Sequence, residues 1–295
     1  MNKSVAFIGL GVMGYPMAGH LANAGCKVSV YNRSQNKAAR WASEYAGLTA
    51  PTPAAAASGA DIVCVCVGND DDVRAVVLGE VGALAAMKPG SILVDHTTAS
   101  AELAEELAAA AAERGVGFVD APVSGGEAGA VNGALTIMCG GEQLHFDEVV
   151  ATLNHYARAV TLLGPVGSGQ RCKMVNQICI AGLLQGLSEA LLFAREAGLD
   201  GAKVVDVISK GAAQSWQMEN RAKTMLADQY DFGFSVDWMR KDLGIVVAAA
   251  EKLGVDLQVT RLVDEFYAEV QKMGGGRWDT SSLFARMEKL NREKN

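Results

Sequence analysis

The chain has 295 residues, and at ~150 residues per domain that length points to two domains. Half of the residues are hydrophobic, 20% are charged and the mean hydropathy is +0.15, a balance that excludes a disordered chain. A net charge of −7 and a pI near 5.2 argue against a broad basic face for nucleic acid.

With 33 glycines, 6 prolines and several alanine-dominated stretches, the composition suits helices on a parallel sheet better than an all-β sandwich. The 6 cysteines (Cys26, Cys64, Cys66, Cys139, Cys172, Cys179) form no C-x-x-C pair and lie mostly in apolar runs. Reduced, buried thiols in a cytoplasmic protein are expected, with no disulfide framework and no metal site. The longest mid-chain apolar run, residues 178–184, is far short of the ~20 needed to cross a bilayer, so no membrane partner is expected. Met1-Asn2-Lys3 ahead of Val5-Ala6-Phe7-Ile8 faintly imitates a leader peptide, but it runs into a glycine motif without a long apolar region or cleavage site. A buried first strand is the better reading.

Strand-like runs occupy Ser4–Ile8, Lys27–Tyr31, 62–67, Ile92–Asp95 and 116–119. Helical patterns lie between them, most clearly at 16–24, 35–45 and 101–114. Continuous apolar strands alternating with helices mean βαβ units and a parallel sheet covered on both faces. Residues 133–140 read as a further strand, followed by a helix from about Glu142 and a short strand at 159–163. A long helix is then predicted over 168–197, apolar nearly all round in its middle and therefore central and buried. Shorter helices follow at 202–210, 219–227, 238–253, 259–272 and 281–291, with no strand beyond Leu163. A (β/α)₈ barrel needs strands to the end of the chain. The predicted architecture is a doubly wound parallel α/β domain over residues 1–164, then an all-α domain over 165–295 built around the long helix.

Gly9-Leu10-Gly11-Val12-Met13-Gly14 is G-x-G-x-x-G set directly after a strand and opening a helix. In that context it is a Rossmann-type dinucleotide loop: the glycines allow a tight turn and close approach to a pyrophosphate, and the helix N-terminus favours the anion. The second strand ends in Tyr31-Asn32-Arg33-Ser34, where an NAD site usually carries an acid for the ribose 2′-hydroxyl. Asn32 lacks that charge, and Arg33 with Ser34 can hold a 2′-phosphate, so NADP(H) is preferred and NAD(H) remains possible. Lys37 and Arg40 either add to the positive field or are ordinary solvated charge. His96, at the end of another strand, is either a proton donor or, the favoured reading, a hydrogen-bonded residue near the cofactor. Lys173, Asn176 and Gln177 fall at i, i+3 and i+4 and so share one face of an otherwise apolar helix. A lysine there is costly, which favours function. Gly125 and Gly126 let backbone amides approach an anion, and Ser124 adds a hydroxyl donor. Trp216 and Trp238 either border a substrate or belong to the core.

With FIGLGVMGYPM (7–17), DHTTAS (95–100), DAPVSGG (120–126), GSGQRCKMVNQ (167–177) and RKDL (240–243) in order, the chain resembles the β-hydroxyacid dehydrogenase family over nearly its whole length. That family includes 3-hydroxyisobutyrate dehydrogenases, tartronate semialdehyde reductases and glyoxylate/succinic semialdehyde reductases. The resemblance implies hydride exchange between a nicotinamide cofactor and a small carboxylate-bearing aldehyde or hydroxy acid. It implies Lys173 as the catalytic lysine, acting as general acid or base, with Asn176 as its polar partner. Ser124 and Gly125, with Gly126 and Gln177 beside them, match the substrate-binding positions. Val67, Gly68, Asp72 and Thr98 match positions lining the cofactor, and Lys241 matches a lysine near it. Gly68, Thr97 and Asp72 replace a common proline, a common serine and a frequently neutral residue. An imine reductase of the same fold usually lacks the lysine, and so do non-catalytic dinucleotide-binding relatives. The apolar long helix needs more cover than a small helical domain offers, so a homodimer or homotetramer is expected.

Overall fold

The computed structural model describes residues 3–294, so Met1 and Asn2, which open the leader-like segment, lie outside the described residues. The chain divides into two compact units at Lys173/Met174.

In chain order the first unit holds β1 (Ser4–Ile8), α1 (Gly14–Asn23), β2 (Lys27–Tyr31), α2 (Gln35–Glu44), β3 (Gly47–Thr49), α3 (Pro53–Ala57) and β4 (Ile62–Val65). Next come α4 (Asp70–Val77), a 3₁₀ turn at Ala83–Ala86, β5 (Ile92–Asp95), α5 (Ala101–Ala112), β6 (Gly117–Asp120), β7 (Val123–Ser124) and α6 (Gly126–Val131). The unit closes with β8 (Leu135–Gly141), α7 (Gln143–Leu153), β9 (Ala157–Leu162) and the first turns of α8 (Ser168–Glu196). The sheet order is β3-β2-β1-β4-β5-β6-β8-β7, with β9 beside β8. β3 through β6 in that order are mutually parallel, and β8 runs antiparallel to β6.

Side-chain alternation explains the two covered faces. Val5 and Phe7 of β1, with Ile62 and Cys64 of β4, pack against α1, α2 and α7 through Met17, Leu21, Trp41 and Leu153. Ala6 and Ile8, with Val63 and Val65, face α4 and α5 through Val73, Leu103 and Leu107. The strands therefore read as unbroken apolar runs, because neither side meets water.

The second unit contains the remainder of α8, then α9 (Gly201–Ile208), α10 (Trp216–Leu226), α11 (Val236–Leu253), α12 (Gln258–Lys272), a 3₁₀ turn at Thr280–Ser282 and α13 (Leu283–Lys294). Among the described residues no strand follows β9. Two apolar clusters fill it, one around Met239, Leu243 and Tyr267, the other around Leu191, Met225 and Phe284. Buried Asp279 ties loops together by accepting from Arg221 Nε at 3.0 Å and from the Phe234 N–H at 3.0 Å.

Two expectations change. The long helix is not buried all round: Val175, Cys179, Leu183 and Phe193 form an exposed stripe, while Gln177, Ala181, Leu184, Ser188 and Leu191 face inward. Composition told which residues are apolar but not which side the neighbouring helices reach. By length and composition alone α8 could cross a membrane, yet 44% of its most apolar window is buried. Its inward hydroxyl is bonded too, Ser188 Oγ donating to the Leu184 carbonyl at 2.8 Å. The thiols also differ from expectation, since only Cys64 and Cys139 are buried and Cys179 is exposed on that stripe.

Candidate functional site

The glycine loop leaves β1 at Gly9, whose φ of +97° suits only glycine. A β-carbon there would strike the Cys66 carbonyl, and one at Gly14 would strike the Gly9 carbonyl. At Gly11 a β-carbon would meet nothing within 4 Å, so this side of the loop is open. The Gly9 N–H donates to the Tyr31 carbonyl at 2.9 Å, and the Leu10 N–H donates to Asn32 Oδ1 at 2.9 Å. No side chain caps α1, so its N-terminal amides suit an anion. The loop thus fits a dinucleotide pyrophosphate.

Asn32 does more than lack a charge. Its amide bridges the glycine loop and the Ser34 carbonyl, to which Nδ2 donates at 3.2 Å, so its side chain holds the turn together. Arg33 projects outward with 93% of its side chain exposed, 4.0 Å from Asp72 in the first turn of α4. Ser34 opens α2 without capping it. Arg40 pairs on α2 itself with Glu44 at 2.8 Å and lies over the Tyr15 ring.

The loops after β4 and β5 are stitched together. The Val67 N–H donates to Thr97 Oγ1 at 3.1 Å, and the Thr97 N–H donates to Asp95 Oδ1 at 2.9 Å. Gly68 and Thr98 beside them are half-buried. His96 is buried with Nδ1 2.7 Å from the Ala121 carbonyl and Nε2 2.9 Å from the Tyr156 hydroxyl. A carbonyl only accepts, so Nδ1 carries the proton and Nε2 accepts from the tyrosine. Burial pushes the imidazole down to about 4, keeping it neutral. His96 is structural. Ser124 ends β7, and Gly125 and Gly126 follow at φ +131° and +62°, a backbone that other residues rarely adopt. Lys173, 7% exposed, closes the first unit on α8.

Asn176, Gln177 and Lys241 belong to the second unit, where one acid gathers them. Asn176 Nδ2 donates to Gln177 Oε1 at 2.8 Å, and Gln177 Nε2 donates to Asp242 Oδ2 at 2.7 Å. Lys241 Nζ lies 2.9 Å from Asp242 Oδ1 and 5.7 Å from the Trp238 ring centroid. Asp242 is 2% exposed, so Lys241-Asp242 is not a surface pair. Sequence reasoning omitted Asp242 from the site; its place in RKDL was the available signal. Trp216 and Trp238 are both partly exposed, and Trp216 stacks on the Arg221 guanidinium at 5.0 Å.

A doubly wound sheet with an open glycine loop at the carboxyl end of β1, followed by a helical unit, defines a dinucleotide-binding protein. The comparisons agree. Residues 4–164 match the family described as the NAD binding domain of 6-phosphogluconate dehydrogenase, and residues 167–287 match that of NADP-dependent 3-hydroxyisobutyrate dehydrogenase. The chain is 64% identical over 285 residues to an uncharacterized oxidoreductase of Shewanella frigidimarina, covering 97% of this chain and 98% of that one. It is 33% identical to the 2-hydroxy-3-oxopropionate reductase of Escherichia coli, covering 98% and 99%. The solved 3-hydroxyisobutyrate dehydrogenase of Mycobacterium tuberculosis with L-serine superposes with a TM-score of 0.88 at 27% identity, covering 97% and 99%. The chain belongs to the β-hydroxyacid dehydrogenase family of NAD(P)-dependent oxidoreductases.

Burial also pushes the Asp95 carboxyl up, to about 7, with the neighbouring Asp120 and Asp70 adding to the shift. In the unfolded chain an aspartate ionises near ~3.9, so between those values the folded protein holds the extra proton. That contribution to stability is complete below about pH 4 and is lost as pH rises through about 7. His96 acts oppositely, its contribution being lost as pH falls from ~6.5 towards about 4. Asp95→Asn keeps the acceptor for Thr97 and removes one titration. Its unfolding free energy relative to the parent should rise by roughly 1–4 kcal/mol between pH 5 and pH 8 in urea titrations. A pH-independent difference would mean that Asp95 is ionised throughout.

Proposed function

We propose that the chain is an NADP(H)-preferring reductase of a small semialdehyde bearing a carboxylate, running in reverse as a 3-hydroxyacid dehydrogenase. The observation that carries this reading is Lys173: a buried lysine in the same compact unit as the glycine loop and the Ser124-Gly125-Gly126 turn. Lysine is among the residues least often buried, and one buried in a cofactor-binding unit points to chemistry.

The cofactor, when bound, supplies or accepts hydride at the nicotinamide. The open face at Gly11 and the uncapped start of α1 would hold its pyrophosphate, and Arg33 its 2′-phosphate. Ser124 Oγ and the amides of Gly125 and Gly126 would grip the substrate carboxylate, which orients the aldehyde. Lys173 Nζ would give a proton to the oxygen that becomes an alcohol, and take it back in the oxidative direction. Asn176 and Gln177 continue the polar face of α8 beyond Lys173. The lysine also separates this reading from an imine reductase or an inert binding module, both of which usually dispense with it.

We also propose that the protein assembles as a homo-oligomer through the exposed stripe of α8. Phe193 is 74% exposed, and β-carbons built on Gly182 and Gly186 meet nothing within 4 Å. Val175 and Phe193 are equally far along the helix from Leu184, and so, nearer in, are Gly182 and Gly186. A second copy packed antiparallel would therefore set Val175 against Phe193 and glycine against glycine.

Lys173→Ala should lower kcat for NADPH-dependent reduction of a C2–C4 semialdehyde by about 10²–10⁴, with NADPH affinity by fluorescence titration little changed. Lys173→Arg should not restore turnover, because guanidinium releases its proton too reluctantly to act as an acid. Parental turnover in folded Lys173→Ala would overturn the mechanism.

Arg33→Ala should raise KM for NADPH far more than KM for NADH, since only the former carries a 2′-phosphate. Equal changes would remove Arg33 from cofactor selection.

In sedimentation velocity at micromolar concentration the parent should run above its 30.8 kDa chain mass, and Gly186→Leu should shift it towards monomer. A parent that sediments only as a monomer would refute the assembly.

A further inference from the structure

The first turn of α8 is seated on the sheet by two buried side chains. Asp120, the last residue of β6, accepts the Gly167 N–H through Oδ1 at 2.8 Å and the Gln170 N–H through Oδ2 at 2.9 Å. A carboxylate so placed meets the unpaired amides and positive end of a 29-residue helix. Gln170, 1% exposed, works in the other direction: its Nε2 donates to the Thr97 carbonyl at 2.7 Å and its Oε1 accepts the Ala99 N–H at 3.1 Å.

The seat has no slack. Gly140 on β8 is the register partner of Asp120, and a β-carbon there would lie 2.5 Å from Asp120 Oδ1 and 2.8 Å from the Gly169 nitrogen. A β-carbon on Gly169 would lie 2.8 Å from Asp120 Oδ2. Glycine on both strand and helix lets the helix end touch the carboxylate directly.

Each anchor is next to a group with a proposed role. Asp120 leads through Ala121-Pro122-Val123 to Ser124, Thr97 precedes Thr98, and Gln170 is one turn before Lys173, about 4.5 Å along the axis. We infer that Asp120 and Gln170 are positioning residues, which fix the first turn of α8 against the ends of β5 and β6 and thereby set Lys173 in place relative to the Ser124-Gly125-Gly126 turn. The inference rests on the reading of Lys173 as the proton donor. Because an α-helix is stiff over one turn, a shift at Gln170 reaches Lys173 undiminished, and a misplacement of ~1 Å can cost about 10² in rate.

A plain helix cap would also stabilise the fold, so the test must read something that stability alone does not move. Gln170→Met keeps length and volume but loses both bonds; Asp120→Asn keeps one acceptor oxygen and turns a donor towards an N–H. Each variant is assayed as the full chain, alone and combined with Lys173→Ala, using NADPH and succinic semialdehyde, with circular dichroism for folding and fluorescence titration for NADPH. Expected are a fall in kcat of about 10- to 100-fold, an NADPH Kd within about twofold of the parent, and no further fall when Gln170→Met is added to Lys173→Ala. Should Asp120→Asn fail to fold, Gln170→Met decides the question. Parental kcat in folded Gln170→Met beside an inactive Lys173→Ala overturns the positioning role and leaves the lysine reading standing. So does a full additional loss in the double variant, which would show that the effect bypasses Lys173. Parental kcat in Lys173→Ala overturns the lysine reading and this inference with it.

Discussion

The strands β2, β1, β4, β5 and β6 run parallel in matched register, so their carboxyl ends finish at one edge of the sheet. Five loops of the first unit leave from that edge: Gly9 after β1, Asn32 after β2, Val67 after β4, His96 after β5 and Ala121 after β6, the last leading into the Ser124-Gly125-Gly126 turn. Parallel pairing forces this, because each return to the far edge is made by a crossover. Move one strand by a residue and its apolar set would change faces, so the two buried cores also lock the edge in place.

That edge is built from polar groups in an apolar setting, and each is satisfied by a neighbouring loop rather than by water. Asn32 holds the glycine loop, Thr97 holds the start of the Val67 loop, His96 bridges Ala121 and Tyr156, and Gln170 bridges Thr97 and Ala99. Buried polar atoms without partners are expensive, and with partners they impose a single arrangement. The network therefore trades tolerance for definition: the loops cannot relax independently, which suits a site whose donors must be fixed before charge develops.

Much of this was legible in the sequence, and the parts that were not share a cause. The limits of β1 and β5 follow from apolar runs, those of β2 from the alternation of Val28 and Val30 with Lys27 and Ser29, and α8 from its length. The three-residue β3, the two-residue β7 and the short α3 and α6 are too brief for any periodicity to accumulate. The sequence reading names no helix at α4, where Asn69 caps the first turn and Asp70-Asp71-Asp72 sit at its positive end. The glycine loop, Ser124–Gly126 turn and Lys173 helix stood out as local spacings. The jobs of Asn32, His96, Asp120 and Asp242 did not, since each is defined by partners 22 to 65 residues away.

The boundary between the units falls inside α8, between Lys173 and Met174. One consequence is that the helix answers to two sets of constraints. Its first turn takes its position from Asp120 and from the strand ends, through bonds that lie wholly in the first unit. Four residues past Lys173 the helix answers to the helical unit instead, where Gln177 is held by Asp242. A residue placed before the boundary inherits the rigidity of the sheet, and one placed after it inherits that of the helical core. Lys173 lies on the sheet's side, in the same unit as the turn proposed to hold the substrate carboxylate, so its distance from that turn is set within a single core.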